Sequence, residues 1–108
     1  MNKNDKIFVA GHLGLVGSSV IRGLQAHGFD NIIMRSHKEL DLTNQNLVQS
    51  FFSDESIDYV ILAAAKVGGI FANNTYPAEF IYQNIMIEAN VIHASYLNNC
   101  LLYTSPSP

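Results

Sequence analysis

Cysteine is nearly absent: the 108 residues hold one, Cys100. A single cysteine excludes an internal disulfide framework and a cysteine-rich zinc site. Charge is scarce too. Charged residues make up 14% of the chain and the net charge is −3, which argues against a nucleic-acid partner. No cluster of lysine and arginine overrules that reading. No apolar run approaches the roughly 20 residues that span a bilayer, so no membrane partner is expected. Residues 1–6 are polar and lack the apolar core of a signal peptide, so the chain reads as cytoplasmic. The four histidines, His12, His27, His37 and His93, show no short ligand spacing, and no metal site is expected. What remains is one domain at most, 48% hydrophobic, with the ordinary composition of an α/β fold.

The strongest local pattern lies between Lys6 and Gly17, KIFVAGHLGLVG. A short apolar strand, residues 6–10, runs into glycines at 11, 14 and 17, and an amphipathic helix follows over about 15–27. This order of strand, tight turn and helix suits a nucleotide's phosphates. Gly11 lets the chain reverse, Gly14 lets backbone approach a pyrophosphate, and Gly17 lets the helix close onto the strand. The free N–H groups of the helix start then face the anion. A purely structural turn is the alternative, because glycines also serve turns that bind nothing.

Helix one carries Val16, Val20 and Leu24 as its inward stripe and stops at Gly28. Strand two, residues 31–35, lies parallel to strand one after a right-handed crossover. An acidic residue near the end of that strand usually holds the ribose 2′-OH of NAD. Here the place reads Arg35-Ser36-His37-Lys38, a basic and hydroxyl-bearing patch that suits the 2′-phosphate of NADP. A solvated loop after a strand carries the same kinds of residue. Residues 39–42 read as a short third strand, with Asp41 or Thr43 capping a helix over about 44–52. Leu47, Val48, Phe51 and Phe52 share one face of that helix. A buried strand at 58–62 continues into Ala63-Ala64-Ala65, small residues that leave room at a strand's carboxyl end, where open α/β sheets bind ligands. A glycine- and asparagine-bearing loop, 66–74, follows on the same edge. Pro77 then opens a last helix over about 78–97, apolar on more than one side and so in need of a second partner.

Residues 100–108, CLLYTSPSP, break the helical pattern and match one reading frame of a common transposase sequencing adapter. The expected domain therefore covers residues 1–99, and the last nine are read as a library scar. A genuine disordered tail is the alternative.

With GHLGLVG, LAAAKVGGIFANNTYPAEFIYQN and MIEANVIHA in view, the chain resembles the GDP-L-fucose synthase family of extended short-chain dehydrogenases/reductases. The resemblance covers about residues 6–98. It implies the N-terminal half of a Rossmann-type doubly wound parallel sheet, with NADP as cofactor. It further implies a GDP-sugar substrate, a 4-keto sugar epimerised at two carbons and then reduced, and a homodimer when full length. By that resemblance Gly11, His12, Leu13, Gly14, Leu15, Val16 and Gly17 line the pyrophosphate. Arg35 and Ser36 meet the 2′-phosphate, Asp41 and Leu42 lie near the adenine, and Ala63, Ala64 and Ala65 run past the cofactor. Close relatives often carry arginine where this chain has Leu13 and His37. Asn84 matches a helix asparagine that supports active-site architecture in the superfamily, although polar surface is the plainer reading.

The superfamily reduces its ketone with a Tyr-x-x-x-Lys pair, and none occurs in the sequence. No catalytic residue is therefore assigned, and the fragment itself is expected to be inactive. His93 reads as packed in a core or interface, and Lys66 as a loop residue near the site. Two other functions stay open: a nucleotide-sugar epimerase or dehydratase of the same superfamily holding NAD, and a dinucleotide-binding module without chemistry.

Overall fold

The computed structural model describes residues 2–11, 14–63 and 78–104. Strand β1, Ile7–Ala10, leads to helix α1, Leu15–Ala26. Strand β2 is short, Ile32–Ile33, and helix α2, Gln45–Glu55, follows it. Strand β3, Tyr59–Leu62, precedes the long helix α3, Ala78–Leu97, and strand β4, Leu101–Thr104.

Each helix end in the first half has a local cause. Gly28, at φ 86, takes the left-handed turn that stops α1. Its N–H donates to Gln25 O at 3.0 Å, and Phe29 N–H reaches back to Leu24 O at 3.0 Å. This is the paired closure that satisfies a helix's last carbonyls. Lys3 donates to His27 O, and its ammonium stands 4.3 Å from the centre of the Phe29 ring. Helix α2 starts at Asn44, whose Oδ1 accepts from Leu47 N–H at 3.0 Å, and it ends at Ser56, left-handed at φ 54. Lys6 Nζ donates to Glu55 O at 2.6 Å, a cation at the helix's negative end.

The four strands form one parallel sheet in the order β2-β1-β3-β4. Alternation along the strands sorts side chains between two faces. Phe8, Ala10, Val60 and Leu62 point to one face, where they meet Val48 and Phe52 of α2 and Val91 and Ala94 of α3. The rings of Phe8, Phe51 and Phe52 pack together there at centroid distances of 4.8–5.9 Å. Burying a side chain of this size stabilises the fold by about 1.5–3 kcal/mol. Ile7 and Val9 point to the other face, against Ile21 and Leu24 of α1, with Phe29, Ile32, Tyr59 and Ile61 around them. Helices on both faces of a parallel sheet make this the N-terminal half of a doubly wound fold.

Several expectations change in detail. Residues 39–42 form no strand: 37–39 are a turn, and Leu40 alone is buried. The cause is local. Ser36 N–H donates to Glu39 Oε1 at 2.8 Å and Glu39 N–H returns to Ser36 Oγ at 3.3 Å, a reciprocal box that coils the chain. Neither Asp41 nor Thr43 caps α2; Asn44 does. In α1 the buried positions are Gly17 and Ile21, because the helix sets its glycine against the sheet, and Val16 and Val20 lie only partly buried beside them. Leu47 is exposed, and so is His93, which stands on the outer side of α3. Asn84, by contrast, is buried. The sheet also takes in residues beyond 99. Leu101–Thr104 pair in parallel with β3, and the half-buried Cys100 thiol donates to Ile57 O at 3.1 Å. Burial, with Asp58 nearby, pushes that thiol's pKa up.

Candidate functional site

Because all four strands run the same way, the turns after β1, β2 and β3 share the sheet's carboxyl edge. From β1 the chain winds through α1 on one face to β2. It then returns through α2 on the opposite face to β3, on the other side of β1. That reversal puts a topological switch point at the carboxyl ends of β1 and β3, the usual place for a ligand in an open α/β sheet. Of the expected site residues, Gly11, Gly14 and Ala63 lie at the carboxyl ends of β1 and β3.

Gly11 leaves β1 at φ 91, a conformation that a side chain disfavours. Gly14 N–H donates to Gly11 O at 3.1 Å, closing the turn, and Ser18 N–H donates to Gly14 O at 2.9 Å, opening α1. No side chain caps this helix, so its first amides keep their donors for another acceptor. A Cβ built on Gly14 would meet only Gly11 O, at 3.5 Å, which is ordinary contact. Packing among the described residues therefore does not require glycine there. Gly17 is buried against the sheet, Val16 is partly buried, and Leu15 is exposed. These features fit a pyrophosphate. Ala63 is buried on the far side of β1, and its N–H donates to Ala10 O at 2.8 Å. His12, Leu13, Ala64, Ala65, Lys66, the 66–74 loop and Pro77 lie outside the described residues.

On the other side of β1 stands the loop after β2. Arg35 is not idle. One guanidinium nitrogen lies 3.3 Å from Glu55 Oε2, another donates to Met34 O at 2.8 Å, and the group sits 5.3 Å from the Phe51 ring centre. Glu55 is shared, since Lys6 Nζ lies 3.6 Å from its other oxygen. Ser36 belongs to the box with Glu39 described above. His37 and Lys38 are exposed, with His37 Nδ1 3.9 Å from Asp41 Oδ1. Asp41 Oδ1 accepts from Thr43 Oγ1 at 2.6 Å and from Thr43 N–H at 3.0 Å. The Thr43 hydroxyl first, then its N–H, and more weakly the His37 charge hold the Asp41 carboxyl below its usual pKa. Leu42 is partly buried against the α2–α3 side of the core.

Two participants escaped the sequence reading. Glu55, which holds Arg35, lies twenty residues away in sequence. Asn90 of α3 donates through Nδ2 to Leu42 O at 2.9 Å, over forty-eight residues. A sequence signal for Asn90 existed: an amide beside the inward-facing Val91 and Ala94 is out of place in an apolar stripe. Among the described residues no three His, Cys, Asp or Glu gather as a metal site, and no helix is long and apolar enough to cross a membrane.

Known proteins bear on this geometry. Residues 7–107 match the profile of the NAD dependent epimerase/dehydratase family. The chain is 63% identical to GDP-L-fucose synthase 1 of Arabidopsis thaliana over 95 residues, covering 88% of this chain and 29% of that protein. It is 53% identical to GDP-L-fucose synthase of Escherichia coli K12 over 104 residues, covering 94% and 32%. A solved structure, MlghC, the GDP-mannoheptose C4 reductase from Campylobacter jejuni with NADP bound, superposes with a TM-score of 0.85 at 44% identity. That superposition covers 96% of this chain and 33% of the reductase. The chain thus spans about a third or less of the length of these relatives.

Proposed function

The chain belongs to the NAD dependent epimerase/dehydratase family, and from that membership we propose that it is the cofactor-binding part of an NADP-dependent GDP-L-fucose synthase. The whole enzyme would epimerise GDP-4-keto-6-deoxy-D-mannose at two carbons and reduce its ketone to give GDP-L-fucose. The single observation that carries the cofactor reading is the turn from Gly11 to Gly14, at the carboxyl edge of the central strand and opening onto an uncapped helix. Identities of 53–63% to GDP-L-fucose synthases support the substrate.

The bound dinucleotide supplies the hydride. This chain's residues bind and orient it. The first amides of α1 receive the pyrophosphate, with His12, Leu13, Leu15 and Val16 along the same turn. Ala63, Ala64 and Ala65 leave room beside it, and Asp41 and Leu42 adjoin the adenine. Arg35 and Ser36 meet the 2′-phosphate, with His37 and Lys38 exposed beside them. Glu55 competes with that phosphate for Arg35. The proton donor is expected in the remainder of the enzyme, since no Tyr-x-x-x-Lys pair occurs here. We place the enzyme in the cytoplasm as a homodimer. The exposed stripe Tyr82, Ile85, Ile92 and Tyr96 on α3 supports the dimer. Residues 100–108 are proposed to derive from adapter sequence; reading the source DNA through the codon for Asn99 tests this, and an unbroken natural frame through Pro108 refutes it.

Calorimetric titration with NADPH and NADH tests the cofactor reading. NADPH is expected to bind more tightly, and Gly14→Ala to abolish binding while leaving the unfolding free energy within about 0.5 kcal/mol of the parent. A Gly14→Ala chain that still binds NADPH as the parent does overturns the assignment of the turn. Glu55→Gln, which frees Arg35, is expected to tighten NADPH roughly threefold and leave NADH unchanged. The second reading, an epimerase or dehydratase of the same superfamily holding NAD, is favoured by the Arg35–Glu55 pair, which occupies the guanidinium. Equal affinity for NADPH and NADH in both chains would decide for it.

A further inference from the structure

The peptide unit joining Leu42 to Thr43 is held at both of its polar ends. Its carbonyl, Leu42 O, accepts from Asn90 Nδ2 at 2.9 Å. Its N–H, on Thr43, donates to Asp41 Oδ1 at 3.0 Å. Asn44 N–H closes the same turn onto Asp41 O at 3.0 Å, and Asn44 then caps α2. The Asp41, Thr43 and Asn44 bonds are local and form wherever this tetrapeptide turns. The Asn90 bond is not local, and with the packing of Leu42 it ties the turn to α3.

Asn90 is 8% exposed, between Val91 and Ala94 on one side and the loop on the other. An amide there loses its hydration, and only a directional partner offsets that loss. A leucine would fill the same interface with more apolar contact, so packing does not account for an asparagine. What the amide adds is orientation. A peptide fixed at carbonyl and N–H cannot rotate, and Leu42, packed against the core, is fixed with it.

Resting on the cofactor reading above, we infer that Asn90 is a positioning residue for the adenosine half of the site: through Leu42 O it sets the turn that adjoins the adenine. Asn90 touches no cofactor atom in this scheme and acts through the turn alone. It couples α3, the helix that follows β3, to the loop that follows β2, so the two sides of the switch point hold a constant spacing.

The 108-residue chain, titrated by NMR with adenosine 2′,5′-bisphosphate and separately with inorganic pyrophosphate, tests the inference. The first probe addresses the adenine side, the second the glycine turn. Asn90→Leu is expected to weaken adenosine 2′,5′-bisphosphate by roughly three- to tenfold and to leave pyrophosphate unchanged. Ser95→Ala serves as the control for general loosening of α3. Its buried hydroxyl donates only along the helix, to Val91 O at 2.7 Å, so it should lower the melting temperature without altering either affinity. If Asn90→Leu does not fold, Asn90→Ala, smaller and likewise without the donor, gives the same reading. Unchanged adenosine binding, or equal loss of both probes, overturns the inference and leaves the cofactor reading standing. A parent chain that binds neither probe overturns both.

Discussion

Phe8 and Val9 are neighbours in β1 and both are out of solvent, yet they lie under different roofs. Phe8 faces α2 and α3, which lie against each other and cover the sheet from β1 to β4. Val9 faces α1, which rests on β1, and among the described residues nothing covers the far half of that side. Tyr59 and Ile61 are only partly buried there, and Leu101 and Tyr103 are about half exposed. The two tyrosine rings stack at 6.0 Å across β3 and β4. Alternation in a strand determines which residues share a face; only the helices determine whether that face is closed.

Breaking the closed face should have the largest effect. Phe52→Ala removes a ring that is 1% exposed and is expected to cost about 3–5 kcal/mol in denaturant unfolding. Ile61→Ala on the open face should cost less than half of that. Equal losses would abolish the distinction between the faces. A smaller step sharpens it: Asn44→Ala unties the start of α2 and should cost about 1 kcal/mol by the same measurement. No change would mean that α2 is held on the closed face by packing alone. The smallest effect concerns pH. Asp41 has a lowered carboxyl pKa in the fold, so its stabilising contribution is complete above the ordinary aspartate value of 3.8 and disappears as pH falls through the folded value. The unfolding midpoints of the parent and of Asp41→Asn should therefore converge below that range. A constant gap at all pH values would show that Thr43 does not depend on the charge.

The sequence made legible what is local. A short apolar run followed by spaced glycines identified β1, the turn and α1, because each step depends on residues adjacent in the chain. Gly28 marked a helix stop for the same reason. Residues 39–42 misled because their apolar-polar alternation favours a strand, while the box between Ser36 and Glu39 and the Asp41–Thr43 bonds coil the backbone first. Leu47 misled because helical spacing leaves a residue at the rim of a face ambiguous until the neighbouring helix is placed. The pairings of Arg35 and of Leu42 O could not be read, although Asn90 stood out as an amide in an apolar stripe. Glu55 and Asn90 reach them through the arrangement of α2 and α3, which no local pattern encodes.

The central place of β1 also has a consequence in time. It precedes both of its neighbours, β2 and β3, in the chain, and it pairs with each of them in parallel and not as a hairpin. Ile7 waits for Ile32 on one side and for Tyr59 on the other. Until both have been synthesised, its backbone groups and its apolar side chains have nothing to pair with. Loop closure must precede every rewarding contact, which makes such a sheet slow to assemble and prone to stray association. The strand that leads into the Gly11–Gly14 turn is thus made before either of its neighbours, and its vulnerable interval lasts until α2 has crossed the nascent sheet and β3 has followed.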